Sequence, residues 1–331
     1  MKQPRFWSGT IDPRAREAAP LTRFLLTPLA WVYAAVTARK IKTRQPREVS
    51  ALVLCVGNLT AGGVGKSPVV HALRKRLTEM TGQRAASLSR GYGGQLKGPL
   101  KVDLGLHSAR DVGDEPAMLA GTGESWIGAA RDLAGSAMRG DGVEIIIMDD
   151  GHQNPGLKKD FTFVVIDSAD PFGNGFVIPK GPLREPVQAG LERADAVIMM
   201  GDGDTPEAVT ASGLPVLRAH IRPTAKAPDG PLVAFAGIGR PEKLFDSLTA
   251  LGADLKDAVP FDDHHVYTAA DLSYLRRLAG DHGARLVTTE KDFARLGQAQ
   301  REGIVFLPVE AHFDDDQRLD KLLQDLLDRR P

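Results

Sequence analysis

The chain has 331 residues, but one cysteine, 6% aromatic residues and no net charge. A single Cys55 excludes an intrachain disulfide and a cysteine-built zinc site, and fits a reducing compartment. It lies inside an apolar run, so it reads as core. The scarce aromatics do not interleave with a basic groove, which leaves a nucleic-acid partner without support. The zero net charge is unevenly spread. Residues 1–48 hold ten Lys/Arg, among them Lys2, Arg14, Arg23, Arg39, Lys40 and Lys42, against three acids, giving +7; the remainder is −7. Inside this basic stretch lies Phe24–Ala38, uncharged and carrying Trp31 and Tyr33. As a helix it spans about 22 Å, short of the roughly 30 Å hydrocarbon layer. Arg39-Lys40 follow it where a secretory signal would have a small-residue cleavage site. It reads as an interfacial or shallowly inserted anchor whose basic flanks meet anionic lipid headgroups. The competing reading is a buried first helix.

What is present is a phosphate-binding pattern. Ala51–Gly57 is an apolar strand running into a glycine-rich loop that ends Gly65-Lys66-Ser67, with the helical pattern Val69-Val70…Ala72-Leu73 behind it. Loop amides and a helix N-terminus make an anion cradle. Thr60, Ala61, Gly62, Gly63, Val64, Gly65, Lys66 and Ser67 would hold ATP, with Lys66 on the β/γ-phosphates and Ser67 on Mg²⁺. Thr60 stands where the generic P-loop opens with glycine. Val143–Met148 is a second buried strand, and the Asp149-Asp150 that ends it reads as a Walker B pair.

Further strands are expected at Ala85–Leu88, Phe161–Ile166, Ala196–Met200, Leu217–Ile221, Leu232–Ala236 and Arg285–Thr289. Leu100–Leu104 is a further strand or hairpin arm. Helices between them give a doubly wound α/β, P-loop NTPase-like layer. A Pro- and Gly-bearing stretch after Leu217–Ile221 suggests a linker. The expected units are a membrane-associated segment (1–48), a P-loop core (49–214) and a smaller second α/β unit (215–331) with linker strands at its start.

Four polar clusters carry chemistry. Gly113-Asp114-Glu115-Pro116 offers a carboxylate at a helix start, where capping alone would also place one. Asp262-Asp263-His264-His265 follows a strand, and an Asp beside a His can orient the imidazole. Arg184-Glu185 lies in a proline-bounded turn, Arg suiting phosphate and Glu suiting Mg²⁺, or the two forming an ion pair. Thr289-Glu290-Lys291-Asp292 either faces the nucleotide or caps a helix.

The order and wording of these motifs resemble one family. They run from Val56-Gly57-Asn58-Leu59-Thr60 and Gly62–Pro68, through Ser89-Arg90-Gly91-Tyr92-Gly93 and Gly113–Pro116. Asp149-Asp150-Gly151-His152-Gln153, Gly181–Pro186, Gly237-Ile238, Phe261–His265 and Thr289–Asp292 follow. The chain is similar to tetraacyldisaccharide 4′-kinase, the lipid A 4′-kinase of Gram-negative bacteria. The resemblance implies two α/β domains joined by a β-ribbon hinge, with ATP between them. It implies transfer of the γ-phosphoryl group to the 4′-hydroxyl of an acylated glucosamine disaccharide 1-phosphate, at the cytoplasmic face of the inner membrane. No obligate protein partner is implied. Asp114 becomes the general base, supported by His264, which Asp263 orients. Asn58, Arg90, Tyr92 and Arg184 become substrate or phosphate contacts, and Glu185 joins Ser67, Asp149 and Asp150 as a metal candidate. His152 carries no assigned role.

Two other classes compete. A membrane-associated ATPase switch of ParA/MinD type would carry a lysine where this chain has Ala61. A GTP-dependent metallochaperone would use the 262–265 cluster for metal, but Thr289–Asp292 lacks the spacing of a guanine-specifying motif.

Overall fold

A computed structural model describes residues 4–12 and 15–329. Lys2 and Arg14 of the basic N-terminal set lie outside the described residues. The strands are β1 (Leu52–Gly57), β2 (Ala85–Ser89), β3 (Leu100–Lys101), β4 (Ser125–Ile127), β5 (Ile145–Asp149), β6 (Phe161–Asp167) and β7 (Ala196–Met200). They continue with β8 (Val216–Pro223), β9 (Pro231–Ala236), β10 (Asp254–Pro260), β11 (Arg285–Thr289), β12 (Ile304–Leu307) and β13 (Val309–Phe313). The helices are α1 (Pro20–Thr43), α2 (Lys66–Thr81), α3 (Ala109–Val112), α4 (Asp114–Gly121), α5 (Arg131–Gly140) and α6 (Val187–Leu191). After them come α7 (Glu207–Ala211), α8 (Glu242–Ala250), α9 (Ala269–Asp281), α10 (Glu290–Arg295) and α11 (Asp316–Asp328).

Nine strands form one sheet in the order β13-β8-β7-β6-β1-β5-β2-β4-β3, and four form another in the order β10-β9-β11-β12. In the larger sheet β1 is central, parallel to β5 and β6. Alternate residues of its buried strands face opposite layers, the period-2 pattern of a doubly covered sheet. Leu52, Leu54 and Val56 pack with Val69, Val70, Leu73 and Leu77 of α2 and with Leu319, Leu323 and Leu326 of α11. Val53 and Cys55 pack the other way, with Ile146, Met148, Ala134 and Met138. Each large apolar side chain so buried contributes about 1.5–3 kcal/mol. Cys55 is fully buried, and burial raises its thiol pKa.

The two sheets are joined by an antiparallel ribbon. The chain leaves the large sheet through β8 and returns through β13, with Ala311 opposite Ile221. This corrects the expected boundary at 214/215. Strands β8 and β13 belong to the large sheet, and α11 buries Leu319, Leu323 and Leu326 in its core. The three leucines, spaced at i, i+4 and i+7, form one apolar face of α11 turned to the large sheet.

Helix α1 is not the buried first helix of the competing reading. Of its 24 residues only Ala30 is buried. Leu21, Phe24, Leu25, Leu29, Trp31, Val32 and Val36 are all more than half exposed. The helix also extends past the 15-residue apolar stretch at both ends, so at about 36 Å it is long enough to cross a bilayer by length and composition. Its base rests on the loop after β6. Lys180 Nζ lies 3.9 Å from the Phe176 ring centre and the Arg23 guanidinium 5.9 Å from it. The Trp7 indole N–H donates to Pro179 O at 3.0 Å.

Candidate active site

The P-loop sits at the C-terminal edge of the parallel strands, between β1 and α2. Its first half is pinned by the turn that ends at Pro186. Ala61 N donates to Pro182 O at 2.7 Å, Arg184 N donates to Leu59 O at 2.7 Å, and Thr60 makes an antiparallel bridge with Leu183. Thr60 is therefore extended, and nothing at that position demands a glycine. The loop then turns through Gly62, Gly63, Val64 and Gly65 into α2. Val64 is buried, while Gly62 and Gly63 are open to solvent.

Polar groups converge at the mouth. Lys66 Nζ donates to Asn58 Oδ1 at 3.2 Å, and Asn58 Nδ2 returns a bond to Thr60 O at 2.7 Å. Ser67 Oγ lies 3.4 Å from Asp149 Oδ2. Pairing of Val56 with Asp149 sets that aspartate beside the end of β1. Asp149 Oδ1 is buried and has no hydrogen-bond partner. Burial, followed by the charge of Glu115, pushes this carboxyl up to about 7. A buried unpartnered oxygen next to a serine hydroxyl fits Mg²⁺, whose remaining ligands would be phosphate oxygens and water. Asp150 differs. Its backbone is left-handed, φ 53°, and its Oδ1 meets Arg184 at 2.6 Å and Lys66 at 3.6 Å. Burial alone would raise its pKa, but Lys66 and Arg184 hold it far below the usual carboxylate range.

Glu185 is placed differently from its expected metal role. Both its oxygens accept from Arg193 NH2 at 2.7 Å, and Oε1 also accepts from Gln153 Nε2 at 2.9 Å. The carboxylate is thus the buried half of an ion pair. Gln153 Nε2 also reaches Asn58 O at 2.9 Å, which ties this pair to the P-loop strand end. His152 acquires a place: it is buried, its Nε2 lies 2.9 Å from Gly190 O, and burial lowers its pKa to about 3. A Cβ on Gly57 would lie 2.4 Å from the His152 Cβ, so glycine there admits the ring.

The smaller unit faces this mouth. Asp114 begins α4, and Gly113 before it has φ +97° with an ideal Cβ only 2.5 Å from Tyr92 O. Only glycine lets the 89–94 loop press against that turn. Asp114 Oδ2 lies 3.1 Å from His264 Nδ1 and accepts from Arg295 Nε at 2.7 Å. Burial opposes the charge, but the His264 hydrogen bond and the Arg295 guanidinium hold Asp114 at about 2. Asp263 lies farther off: its Oδ1 is 3.9 Å from His264 Nε2, beyond hydrogen-bond reach. The ring nitrogen Nδ1 is held by Asp114 and Arg295 instead. Arg90 and Tyr92 are exposed on the loop after β2, Tyr92 by 75%.

The 262–265 cluster does not converge as a metal site would. His264 faces Asp114, whereas His265 Nε2 lies 3.1 Å from Asp271. Thr289 caps α10 by accepting from Asp292 N at 3.0 Å. Sequence reasoning missed Arg295 and Arg193 as contributors. Their roles come from distant partners such as Asp114 and Glu185, which no local pattern announces.

A P-loop at the edge of a doubly wound sheet, faced by a second α/β unit, defines a P-loop nucleoside-triphosphate-binding protein. The family model described as "Tetraacyldisaccharide-1-P 4'-kinase" matches residues 22–328. A tetraacyldisaccharide 4′-kinase of Hyphomonas neptunium is 59% identical over 99% of both chains. One of Maricaulis maris is 48% identical over 99% of this chain and 97% of its own. The crystal structure of LpxK from Aquifex aeolicus in complex with ATP superposes with a TM-score of 0.73. It covers 92% of this chain and 99% of its own at 24% identity. The chain belongs to the tetraacyldisaccharide-1-P 4′-kinase family. The ParA/MinD-type switch is not favoured.

Proposed function

We infer that the protein transfers the γ-phosphoryl group of ATP to the 4′-hydroxyl of a tetraacyldisaccharide 1-phosphate, in lipid A biosynthesis. Family membership over nearly the whole chain supports the reaction. The observation that carries the mechanism is the meeting of Asp114 with His264 opposite the Lys66–Ser67–Asp149 mouth. Loop amides from Thr60 to Gly65 and the Lys66 ammonium bind the phosphates. Ser67 and Asp149 would hold Mg²⁺, which would supply neutralisation of the phosphate charge. Asp150 and Arg184 position Lys66, and Asn58 steadies it.

Asp114 accepts the 4′-hydroxyl proton as the new O–P bond forms and the bond to the β-phosphate oxygen breaks, releasing ADP. In a loose transition state the proton leaves late, so a carboxylate of low basicity suffices. His264 holds the carboxylate, and Asp263 adds its charge from 3.9 Å. Arg90 and Tyr92, exposed beside the cleft, meet the sugar or its 1-phosphate.

The acceptor is amphiphilic, so the cleft works at a bilayer surface. Helix α1 is apolar around its circumference and ends in basic residues, which suits the cytoplasmic leaflet of the inner membrane, where ATP is available. The test is transfer of labelled γ-phosphate to the tetraacylated disaccharide 1-phosphate in detergent micelles. A bis-phosphorylated lipid is the expected product, lost with Asp114→Asn. A folded, ATP-binding protein that labels no lipid would overturn the reading.

A further inference from the structure

We propose that Arg295 is a positioning residue for the transfer, pinning the Asp114 carboxylate in register only while the four-stranded unit is closed onto the nine-stranded one. The inference rests on the reading of Asp114 as the base. It begins with how Arg295 is held. Helix α10 is capped by Thr289, whose hydroxyl also donates to Asp292 Oδ2 at 2.7 Å. Gly237 N donates to the same oxygen at 3.0 Å, so Asp292 is fixed and fully buried. Arg295 NH1 then donates to Asp292 Oδ1 at 2.6 Å and to Gly237 O at 2.7 Å. All of these partners lie in the smaller unit. The guanidinium is 6% exposed and has one direction left in which to point. That direction is across the cleft, where Nε reaches Asp114 Oδ2 at 2.7 Å.

Two consequences follow for the carboxylate. The His264 and Arg295 contacts both fall on Oδ2, which leaves Oδ1 to face the acceptor hydroxyl. In addition, Arg295 NH2 lies 3.2 Å from His264 Nδ1. The same nitrogen is 3.1 Å from Asp114 Oδ2. With Nδ1 protonated, His264 and Arg295 Nε both donate to Oδ2, and the proton taken from the acceptor goes to Oδ1. Opening the cleft removes both donors from Asp114 together, so an open enzyme lacks an ordered base while its nucleotide is exposed to water.

Several charged groups face Asp114. Helix α10 presents Lys291, which pairs with Glu115 at 3.5 Å, along with Asp292 and Arg295. The 262–265 loop presents His264, with Asp263 behind it. Helix α3 carries Arg110, which is exposed, and Asp111, whose carboxylate is taken by Ser108. Helix α2 carries Arg74, which is committed to the carbonyls of Leu119 and Glu124.

The experiment is the pH profile of kcat, with KM for ATP, for wild type, Arg295→Gln and Arg295→Lys, using Asp114→Asn as reference. Arg295→Gln is expected to lower kcat on the order of 10²-fold, as for a misplaced catalytic group, with the ATP KM little changed. Its acid limb should move up by roughly 1–2 pH units, because a cation beside the carboxylate is gone. Arg295→Lys should restore most of the rate and part of the limb. A merely structural arginine would lower the amplitude without moving the limb, and an unmoved limb overturns the inference. If Arg295→Gln does not fold, Arg295→Lys decides alone, since its limb must rise by a smaller step. An active Asp114→Asn would remove the base reading itself. An inactive Asp114→Asn with an unmoved Arg295→Gln limb would remove only this inference.

Discussion

Lys66 Nζ lies 3.6 Å from Asp150 Oδ1, the same oxygen that Arg184 holds at 2.6 Å. The lysine is parked on a counter-ion that is itself fixed by a second cation. An arriving polyphosphate can replace Asp150 as its partner without a large movement, because Asn58 also holds the ammonium at 3.2 Å. Lys66→Ala is expected to lower kcat by about 10²–10³-fold, the usual cost of deleting one preorganised charge at a reacting centre. Lys66→Arg should not rescue it, since a planar fork does not fit a point-charge site. Steady-state transfer assays decide; a loss below about tenfold would show that the loop amides suffice without the ammonium.

Among the described residues, Asp149 is the one strand-end carboxylate with a buried, unpartnered oxygen. Without metal, an unpaired charge there is held in the core at a cost. Asp149→Asn removes the charge and keeps the shape. It is expected to raise the melting temperature of the metal-free protein, by a few degrees for a gain on the order of 1 kcal/mol. The same variant should be nearly inactive and should lose the stabilisation that Mg²⁺ with ATP gives the wild type. Differential scanning calorimetry with and without MgATP reads both effects. A variant less stable than wild type in the absence of metal contradicts the account.

Asp114 is held at about 2, against an ordinary value of 3.8, after burial has worked the other way. A depressed carboxylate favours the folded state wherever it is ionised. The contribution is full above about pH 4 and disappears as pH falls towards about 2. It amounts to about 1–2 kcal/mol for a group screened by partial exposure. Asp114→Asn should therefore narrow its stability gap to wild type as pH falls through that window. Urea unfolding at pH 7, 4 and 3 measures it. A gap that stays constant would mean that the His264 and Arg295 contacts contribute nothing to folding.

Much of this molecule was legible because its signals are local. The P-loop, the Met148-Asp149 strand end and the core strands announce themselves by apolar runs that stop at polar turns, and the doubly wound layer follows from their alternation with helices. Strand β10 was expected only by its end before Asp262, because Asp254, Lys256 and Asp257 break the apolar pattern of an edge strand. Strand β13 was missed because its pairing with β8 is set by a partner about 90 residues earlier, which local pattern cannot reveal. The same limit applies in the site. Glu185 reads as a metal ligand until Arg193 is seen on both its oxygens. Asp263 reads as the residue that orients His264 until its oxygen is seen to lie 3.9 Å from Nε2, with Asp114 on Nδ1 from the facing unit.

Helix α1 presents Leu25 and Val32 at 66% and 61% exposure. Above the base that rests on Phe176 and Lys180, side chains of this kind find little protein surface to cover, which suits contact with lipid. Its last turn carries Lys40 and Lys42, with Arg39 just before, which suits anionic headgroups at about 1 kcal/mol per basic residue near the surface. Placing a charge in the middle of an apolar membrane segment costs roughly 2.5–3.5 kcal/mol. Leu25→Glu with Val32→Glu is therefore expected to reduce co-flotation with phosphatidylglycerol-containing vesicles at least a hundredfold. The helix makes few contacts with the α/β body, so ATP affinity should be unchanged. Transfer to lipid presented in vesicles should fall in parallel with flotation, while transfer in detergent micelles falls less, because a micelle can come to the cleft without the anchor. Undiminished flotation by the double variant would place membrane attachment elsewhere in the chain.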